Sequence, residues 1–204
     1  GGYFESDSIN LGNGVILSNK GDKDGMIIKY NSSGECEWAK AIGGSDDDTI
    51  IIGGSYDDTI TSVAETSDGG YVAGGNFGGY SIDLGNGVSL SGRGGMLIKY
   101  SAEGECEWAK VIGGSSGDQI NSVAECSDGG YVAGGYFASS SIDLGNGVSL
   151  SNKGSYDGMV IKYNSTGECE WAKGIGGSNW DEINSVAECS DGGIIAGGFF
   201  ESSS

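Results

Sequence analysis

Short apolar runs separated by glycine-rich turns recur along the whole chain. In the last third, residues 184–189 alternate polar and apolar side chains, the turn Ser-Asp-Gly-Gly follows, and residues 194–200 are apolar again. This pattern predicts a β-hairpin. A second predicted hairpin precedes it, with strands over residues 158–164 and 169–175 joined by the turn Ser-Thr-Gly-Glu. Each such stretch of chain therefore predicts four short antiparallel strands.

The strand predicted over residues 158–164, and its equivalents in the other repeats, differ from the other strands because they are apolar on both faces apart from one lysine. They read MIIKY from Met26, MLIKY from Met96 and MVIKY from Met159. Strands that are apolar on both faces are typical of the inside of a sheet. Residues 141–157, which separate the two hairpins, carry a short alternation of their own. We expect this insertion to form an extra ribbon in place of a bare loop.

The sequence consists of one repeat unit that occurs three times. The dipeptide Gly-Gly followed by an aromatic-rich run begins at Gly1, Gly74, Gly134 and Gly197, so the units span about 1–73, 74–133 and 134–196, and residues 197–204 begin a further one. Repeats of this length with strand content indicate a propeller, solenoid or array. We predict an all-β, β-propeller-type array of four-stranded antiparallel blades, built from three repeats of about sixty residues.

Three blades are too few for a ring, which needs about four or more. We therefore expect the ring to be incomplete in one chain. The chain opens and ends on the second strand of a blade, which leaves strand edges at both ends. Either further repeats continue the array, or two chains associate so that the last hairpin of one completes the first blade of the other.

The repeated motifs also carry a family resemblance. The pattern SxGExxWAKxIGGSxxDxInSVAxxSDGGyvAGG resembles the bacterial β-propeller repeat family, whose units join a Trp-containing strand, a GGSxxD loop and a DGG hairpin in this order. The resemblance covers essentially the whole chain. It implies a part of a large secreted or cell-surface bacterial protein, and any export signal would lie outside this sequence. The departures are a cysteine in the Trp strand, the long insertion and the small number of units.

Composition narrows the possible functions. The net charge is −19, from 29 acidic and 10 basic residues, which repels phosphate backbones and anionic lipid surfaces. We expect neither nucleic-acid binding nor membrane insertion. The chain contains no histidine, which excludes a Ser-His-Asp triad, a Cys-His dyad and a His-bearing zinc site within it. We therefore expect no enzymatic activity.

The five cysteines keep fixed positions in the units. Cys36, Cys106 and Cys169 share one position, whereas Cys126 and Cys189 share another, where the first unit has Thr66. An odd number with one unpaired equivalent argues against a disulfide framework. Free thiols that pack as small apolar residues are the favoured interpretation. Bridges Cys106–Cys126 and Cys169–Cys189 are the alternative.

Acidic loops suggest a cation. The GGSxxD linkers and the insertions should emerge at one end of the blades, the end at which propellers usually bind. Carboxylates crowded without basic partners repel one another, and Ca²⁺ would relieve that repulsion. Solvated loops in which aspartates cap turns are the alternative. The candidate calcium ligands are Asp46, Asp48, Asp58, Asp118 and Asp181.

Aromatic residues divide into two predicted roles. The tryptophan of each Trp strand should pack between blades; these residues are Trp38, Trp108 and Trp171. Other rings are expected on the surface near carboxylates, where they can stack on sugars or contact a protein. We predict a binding surface formed by Tyr80, Tyr156, Trp180 and Asp157. Further aromatic residues expected to be exposed are Tyr3, Phe4, Phe77, Tyr136 and Phe137.

Three functions follow from these features. The favoured one is a non-enzymatic module at the cell surface or outside the cell, which binds a protein or a glycan or serves as a structural spacer. Self-association into a closed dimer or a filament through the open strand edges is the second. A glycosidase or lyase based on paired carboxylates is the third. The repetition of the carboxylates in every unit argues against the third, because an active site is asymmetric.

Overall fold

The computed structural model describes residues 1–44, 57–78, 81–114 and 117–201. Within these ranges the protein is all-β, and every strand pairing in the sheets is antiparallel. The strands are β1 Gly2–Phe4, β2 Ser8–Asn10, β3 Ile16–Ser18, β4 Asp24–Tyr30, β5 Cys36–Ile42, β6 Thr59–Glu65, β7 Tyr71–Phe77, β8 Ser81–Gly85, β9 Val88–Ser91, β10 Gly94–Tyr100, β11 Cys106–Ile112, β12 Asp118–Glu125, β13 Tyr131–Phe137, β14 Ser141–Asp143, β15 Ser149–Ser151, β16 Asp157–Tyr163, β17 Cys169–Ile175, β18 Asp181–Glu188 and β19 Ile194–Phe200.

The long strands form four sheets. Sheet 1 has the order β1-β4-β5, sheet 2 β6-β7-β10-β11, sheet 3 β12-β13-β16-β17 and sheet 4 β18-β19. Sheets 2 and 3 are four-stranded meanders, as the sequence predicts. The predicted ribbon is also confirmed: β2–β3, β8–β9 and β14–β15 are two-stranded ribbons inserted before the third strand of their sheets.

The first strand of a sheet is longer than the sequence pattern indicates. In sheet 4 it begins at Asp181 and not at residue 184. The cause is a β-bulge, because the register shifts between Ile183 and Ser185 and leaves Asn184 unpaired. A bulge interrupts the two-residue alternation and hides the first half of the strand from pattern analysis. The same shift occurs at the equivalent positions in sheets 2 and 3.

The third strands are inner strands, as predicted. Every residue of β10 and β16 is buried. Even the lysines on these strands are enclosed: Lys99 Nζ lies 2.9 Å from Asp68 and Lys162 Nζ 2.8 Å from Asp128, both in Ser-Asp-Gly-Gly turns. Hydrogen bonds from Thr66 and then Lys99 lower the pKa of Asp68 to about 2. The turn carboxylates thus allow a charged lysine to lie inside the sheet.

Neighbouring sheets stack face to face through their first strands. Strand β12 packs across β7 and β10 of sheet 2, and β18 packs across β13 and β16 of sheet 3. Side chains link the first strands directly: Val123 N donates a hydrogen bond to Ser62 Oγ (3.1 Å), and Val186 N donates to Ser122 Oγ (3.1 Å). Ser62 and Ser122 directly follow the bulges of their strands, so the bulged part of each strand takes part in the contact between sheets.

Glycine allows this close stacking. A Cβ built on Gly74 would lie 2.5 Å from Ile120 Cγ2 and 2.7 Å from Val123 Cγ1. At Gly134 the same contacts are made by Val186 (2.6 Å) and Ile183 (2.8 Å). Only a residue without a side chain leaves room for the branched side chains of the next sheet.

The stack is open at both ends. The described strands do not form a closed ring. Sheet 1 begins with the short β1, which occupies the second-strand position, and sheet 4 consists of a first and a second strand alone. This arrangement agrees with the expectation that the chain opens and ends on a second strand. In the described part of the chain we find no helix with the length and hydropathy that a membrane crossing requires.

We predict that Gly134→Ala destabilises the protein, whereas Gly197→Ala does not. Overpacking at the contact with Val186 should cost about 1–3 kcal/mol of unfolding free energy. Gly197 is the equivalent residue of sheet 4, and a Cβ there meets nothing within 4 Å. Urea denaturation of both variants at dilute concentration measures the difference. Equal losses in the two variants would contradict the role given to sheet stacking.

Candidate functional site

One end of the stack collects the segments in which the units differ. At this end the second strands finish, the third strands begin, and linkers run to the next sheet. We call it the variable end. The opposite end carries the Ser-Asp-Gly-Gly turns and the turns between third and fourth strands, which are nearly the same in each unit. The predicted calcium and binding residues in the described ranges all belong to the variable end.

A buried aspartate fastens each linker at this end. Asp118 Oδ2 accepts a hydrogen bond from Gly114 N in the linker (3.1 Å), and its Oδ1 accepts one from Ala138 N after the second strand (2.9 Å). Asp58 and Asp181 are buried at the equivalent positions. The corresponding donors are Gly78 N for Asp58, and Gly177 N and Glu201 N for Asp181.

This geometry bears on the predicted calcium site. Asp58, Asp118 and Asp181 belong to three different sheets and accept hydrogen bonds from backbone N–H groups, so the structure does not bring them together. Asp46 and Asp48 lie outside the described residues. Over the ranges that the structure covers, no group of three or more acidic or cysteine side chains has the arrangement of a metal site. Hydrogen bonds to the linkers account for these buried aspartates, whereas the alternative to calcium that the sequence left open was solvated loops in which aspartates cap turns.

Asp157 does not belong to the ligand-facing surface, which corrects the sequence-based expectation. It is fully buried at the start of β16. A Cβ on Gly176 would lie 2.6 Å from Asp157 Oδ1 and 2.9 Å from Asp181 Oδ2, so two carboxylates flank this glycine. Burial raises the pKa of Asp157, and the negative charge of Asp181 adds to the effect. Lys153 N, in the preceding loop, donates a hydrogen bond to its Oδ2 (3.2 Å).

Tyr156 and Trp180 lie together, as part of a larger aromatic cluster. Their ring centroids are 5.0 Å apart. Tyr136 packs edge-on against Tyr156 at 5.4 Å, and Phe199 lies 6.0 Å from Trp180. These four rings come from the junction of sheets 3 and 4, and we call them the aromatic cluster. Trp180 and Phe199 are both exposed. Tyr80, the remaining predicted surface residue, lies outside the described ranges.

Polar groups border the aromatic cluster on one side. Trp180 Nε1 donates a hydrogen bond to Glu182 Oε2 (3.2 Å), and Asn121 Nδ2 donates to Glu182 Oε1 (2.9 Å). Tyr136 Oη donates to Gln119 Oε1 (3.2 Å), and Gln119 in turn donates to Asn121 Oδ1 (2.7 Å). The chain of hydrogen bonds fixes the orientation of two of the four rings. It also places amide and carboxylate oxygens beside an exposed apolar surface.

The same positions carry different chemistry at the junction of sheets 1 and 2. Lys23 replaces Tyr156 and Asp57 replaces Trp180, as their matching β-bridges indicate. Lys23 Nζ forms an ion pair with Asp57 (2.8 Å) and lies 5.3 Å from the centre of the Tyr3 ring. Units that are nearly identical elsewhere thus present a charged group at one junction and an aromatic group at another.

Part of the cluster was not predicted from the sequence, and three other residues were placed wrongly. Phe199, Gln119 and Asn121 were not predicted, although the repeat offers a signal, since Phe199 occupies the position of Tyr136 in the next sheet. Phe4, Phe77 and Phe137 were expected on the surface but are buried. They alternate with Tyr3, Asn76 and Tyr136 on their strands, so they point to the opposite face of the sheet.

The tryptophans of the fourth strands lie between sheets. The Trp38 ring packs on Tyr71 of sheet 2, with centroids 5.5 Å apart, and Trp108 packs on Tyr131 of sheet 3 at 5.6 Å. Trp171 is partly buried in a cluster that also contains Ile194 of sheet 4. These positions agree with a packing role.

All five cysteines carry free thiols. The alternative of bridges Cys106–Cys126 and Cys169–Cys189 is therefore wrong for this structure. Four of the thiols are buried, and Cys189 is exposed. Burial raises the pKa of both Cys106 and Cys126 to about 11. A thiol with such a pKa is a poor nucleophile at neutral pH, which favours a packing role.

Comparison with known proteins adds no assignment. No protein-family model matches the sequence, and no curated protein matches it at a significant level.

We predict that Asp157→Asn makes the protein more stable at pH 7. The folded-state pKa of Asp157 is raised, so the protonated form stabilises the fold below the ordinary carboxyl pKa of about 3.9, and this stability is lost as the pH rises through the raised pKa. Asparagine stays neutral throughout. The gain over wild type should therefore shrink as the pH falls toward about 3.9.

Urea denaturation at several pH values measures this gain. Asp143→Asn is the matched control, because Asp143 is exposed and accepts a local turn bond from Gly145 N. A loss of stability at pH 7 in Asp157→Asn alone would contradict the argument.

Proposed function

We propose that the protein is a non-catalytic, β-propeller-type binding module of a secreted or cell-surface protein, and that it binds a glycan at the variable end. In this proposal the four sheets are blades of an array. The stacking of successive four-stranded meanders through their first strands supports the blade interpretation, since radial repetition of such sheets defines a propeller. The resemblance of the repeat motifs to the bacterial β-propeller repeat family supports the proposed setting.

The observation that carries the proposal is the aromatic cluster. Exposed rings at Trp180 and Phe199 adjoin the Glu182 carboxylate and the amides of Gln119 and Asn121. Rings of this kind pack against the apolar face of a sugar, while oxygens and amides at their edge bind its hydroxyl groups. The aromatic cluster therefore offers both kinds of contact that a sugar needs.

Two further features support a role in binding. The cluster occupies positions that differ between units whose interior residues are nearly identical, which is the pattern of a scaffold with a changeable surface. The net charge of −19 disfavours acidic polysaccharides by repulsion. We therefore expect a neutral glycan as ligand.

We predict that Trp180→Ala weakens glycan binding by at least about tenfold, because tryptophan side chains at the centre of a contact commonly contribute more than 1.4 kcal/mol. A glycan microarray identifies a neutral ligand, and calorimetry then compares the variants. Gly117→Ala is the matched control, since Gly117 is the equivalent residue of sheet 3 and an added Cβ there meets no described atom within 4 Å.

The outcomes separate the alternatives. Unchanged binding in Trp180→Ala, or an array without any hit, would count against the glycan proposal. A protein ligand would give that second result together with specific capture of a defined partner. Release of new reducing ends from a bound polysaccharide would instead indicate a carboxylate enzyme.

A further inference from the structure

We infer that the chain associates head to tail, with sheet 4 of one copy completing sheet 1 of a second copy and β19 taking the place of β1. The inference rests on the proposed blade architecture but not on glycan binding. It names a second copy of this chain as the partner of the open ends.

The first observation concerns the free edge of β4. In the complete sheets the second strand pairs with the third over seven positions, from Tyr71↔Tyr100 to Phe77↔Gly94 in sheet 2. Strand β1 pairs with β4 at three positions only, and Tyr30 is 50% exposed whereas Tyr100 is 1% exposed. Among the described residues, half of the β4 edge therefore lacks a strand. Strand β19 has the seven residues needed to cover it.

The second observation is the side chain of Phe200. Its equivalents Phe4, Phe77 and Phe137 are all buried, whereas Phe200 is 79% exposed. Phe137 belongs to a core with Ile142 and Leu150 of the ribbon, which sheet 4 lacks among its described strands. In the second copy the equivalent pocket is filled by Phe4. Replacement of β1 by β19 would bury Phe200 there and enlarge the pairing from three positions to seven.

The third observation concerns two charged side chains, one in each incomplete sheet, at the end of the stack that carries the Ser-Asp-Gly-Gly turns. Each complete sheet joins a third-strand lysine to a turn aspartate, as in Lys99–Asp68 and Lys162–Asp128. In sheet 1 the lysine is Lys29, which pairs with Glu37 of β5, and the described strands of this sheet include no Ser-Asp-Gly-Gly turn. In sheet 4 the turn aspartate is Asp191, which accepts a bond from Gly193 N, and the described sheet contains no third strand. Sheet 1 therefore supplies the lysine, and sheet 4 the turn aspartate, of the ion pair that each complete sheet contains.

The fourth observation is the stacking face. Val123 and Val186 pack on Gly74 and Gly134 and are buried, whereas their equivalent Val63 is 43% exposed. Gly197, the equivalent glycine of sheet 4, meets no atom within 4 Å of an added Cβ. A second copy that supplies β6 together with β4 would bring Val63 onto Gly197.

Hydrogen bonds between a serine of one sheet and a glutamate of the next provide a further comparison. Glu125 accepts hydrogen bonds from Ser67 N and Oγ (2.7 and 2.9 Å), and Glu188 does the same for Ser127. By the same spacing, Glu65 of one copy faces Ser190 of the other. The two open ends are thus complementary in backbone, core, charge and stacking face.

The contact uses different surfaces on the two copies, so it is heterologous. Such contacts form a ring when the rotation closes, and an open filament when it does not. Each junction merges two incomplete sheets into one complete sheet. Two copies with two junctions would contain six complete sheets, enough for a closed ring.

Light scattering after size exclusion tests the inference on the 204-residue chain. We expect wild type at micromolar concentration to contain a species of at least twice 20.7 kDa. Phe200→Glu should weaken the association by at least about tenfold without unfolding the chain, because the side chain is exposed in the single copy. Ile16→Glu is the matched control, since it places the same charge on another exposed apolar residue, on the ribbon.

A charge exchange provides the second test. Lys29→Asp and Asp191→Lys should each reduce association, and the chain that carries both changes should regain it. A wild-type chain that stays monomeric at high concentration, or a Phe200→Glu chain that associates like wild type, would overturn the inference. Glycan binding by monomeric Phe200→Glu keeps this result separate from the proposed function, since Trp180 is intact in that variant.

Discussion

The close contact between a glycine of one sheet and two branched side chains of the next determines the geometry of the stack. Ile120 and Val123 fit against Gly74 because no Cβ intervenes. The short distance also lets Ser62 Oγ reach the N–H of Val123 on the neighbouring first strand. Packing of Trp108 on Tyr131, across the same two sheets, depends on the same spacing. A larger residue at this glycine would separate all of these contacts at once, because protein interiors are densely packed and seldom deform locally.

Because the interior is rigid, the residues that stabilise the stack are different from the exposed residues proposed to bind a ligand. The sheet faces and the end with the Ser-Asp-Gly-Gly turns repeat the same contacts in each unit. At the variable end, one unit has Lys23 and Asp57 where another has Tyr156 and Trp180, and the strands that carry these residues are the same. Buried aspartates such as Asp118 hold the linkers independently of those exposed side chains. A binding surface can therefore change in one unit while the fold remains the same.

Local patterns predicted the strands and their antiparallel pairing well, and contacts between sheets explain the failures. The hairpins, the ribbon and the buried third strands follow from alternation and turn residues that are close in the sequence. The start of β18 at Asp181 was missed because the bulge at Asn184 breaks the alternation. Phe199 joins Trp180 and Tyr136 only through strand register and stacking, which no local pattern contains. Asp157 looked like a surface loop residue, although the backbone folds over it.

The incomplete sheet 4 contains a cysteine, Cys189, that is more exposed than its equivalent in a complete sheet. Cys126 and Cys189 occupy the same position in successive sheets, yet Cys126 is buried beside the strands of a complete sheet and Cys189 is exposed. Only thiols that solvent reaches react readily with alkylating agents. The reactivity of one sulfur atom therefore distinguishes an unfinished sheet from a finished one, and it lets the state of the last sheet be followed without any substitution in the chain.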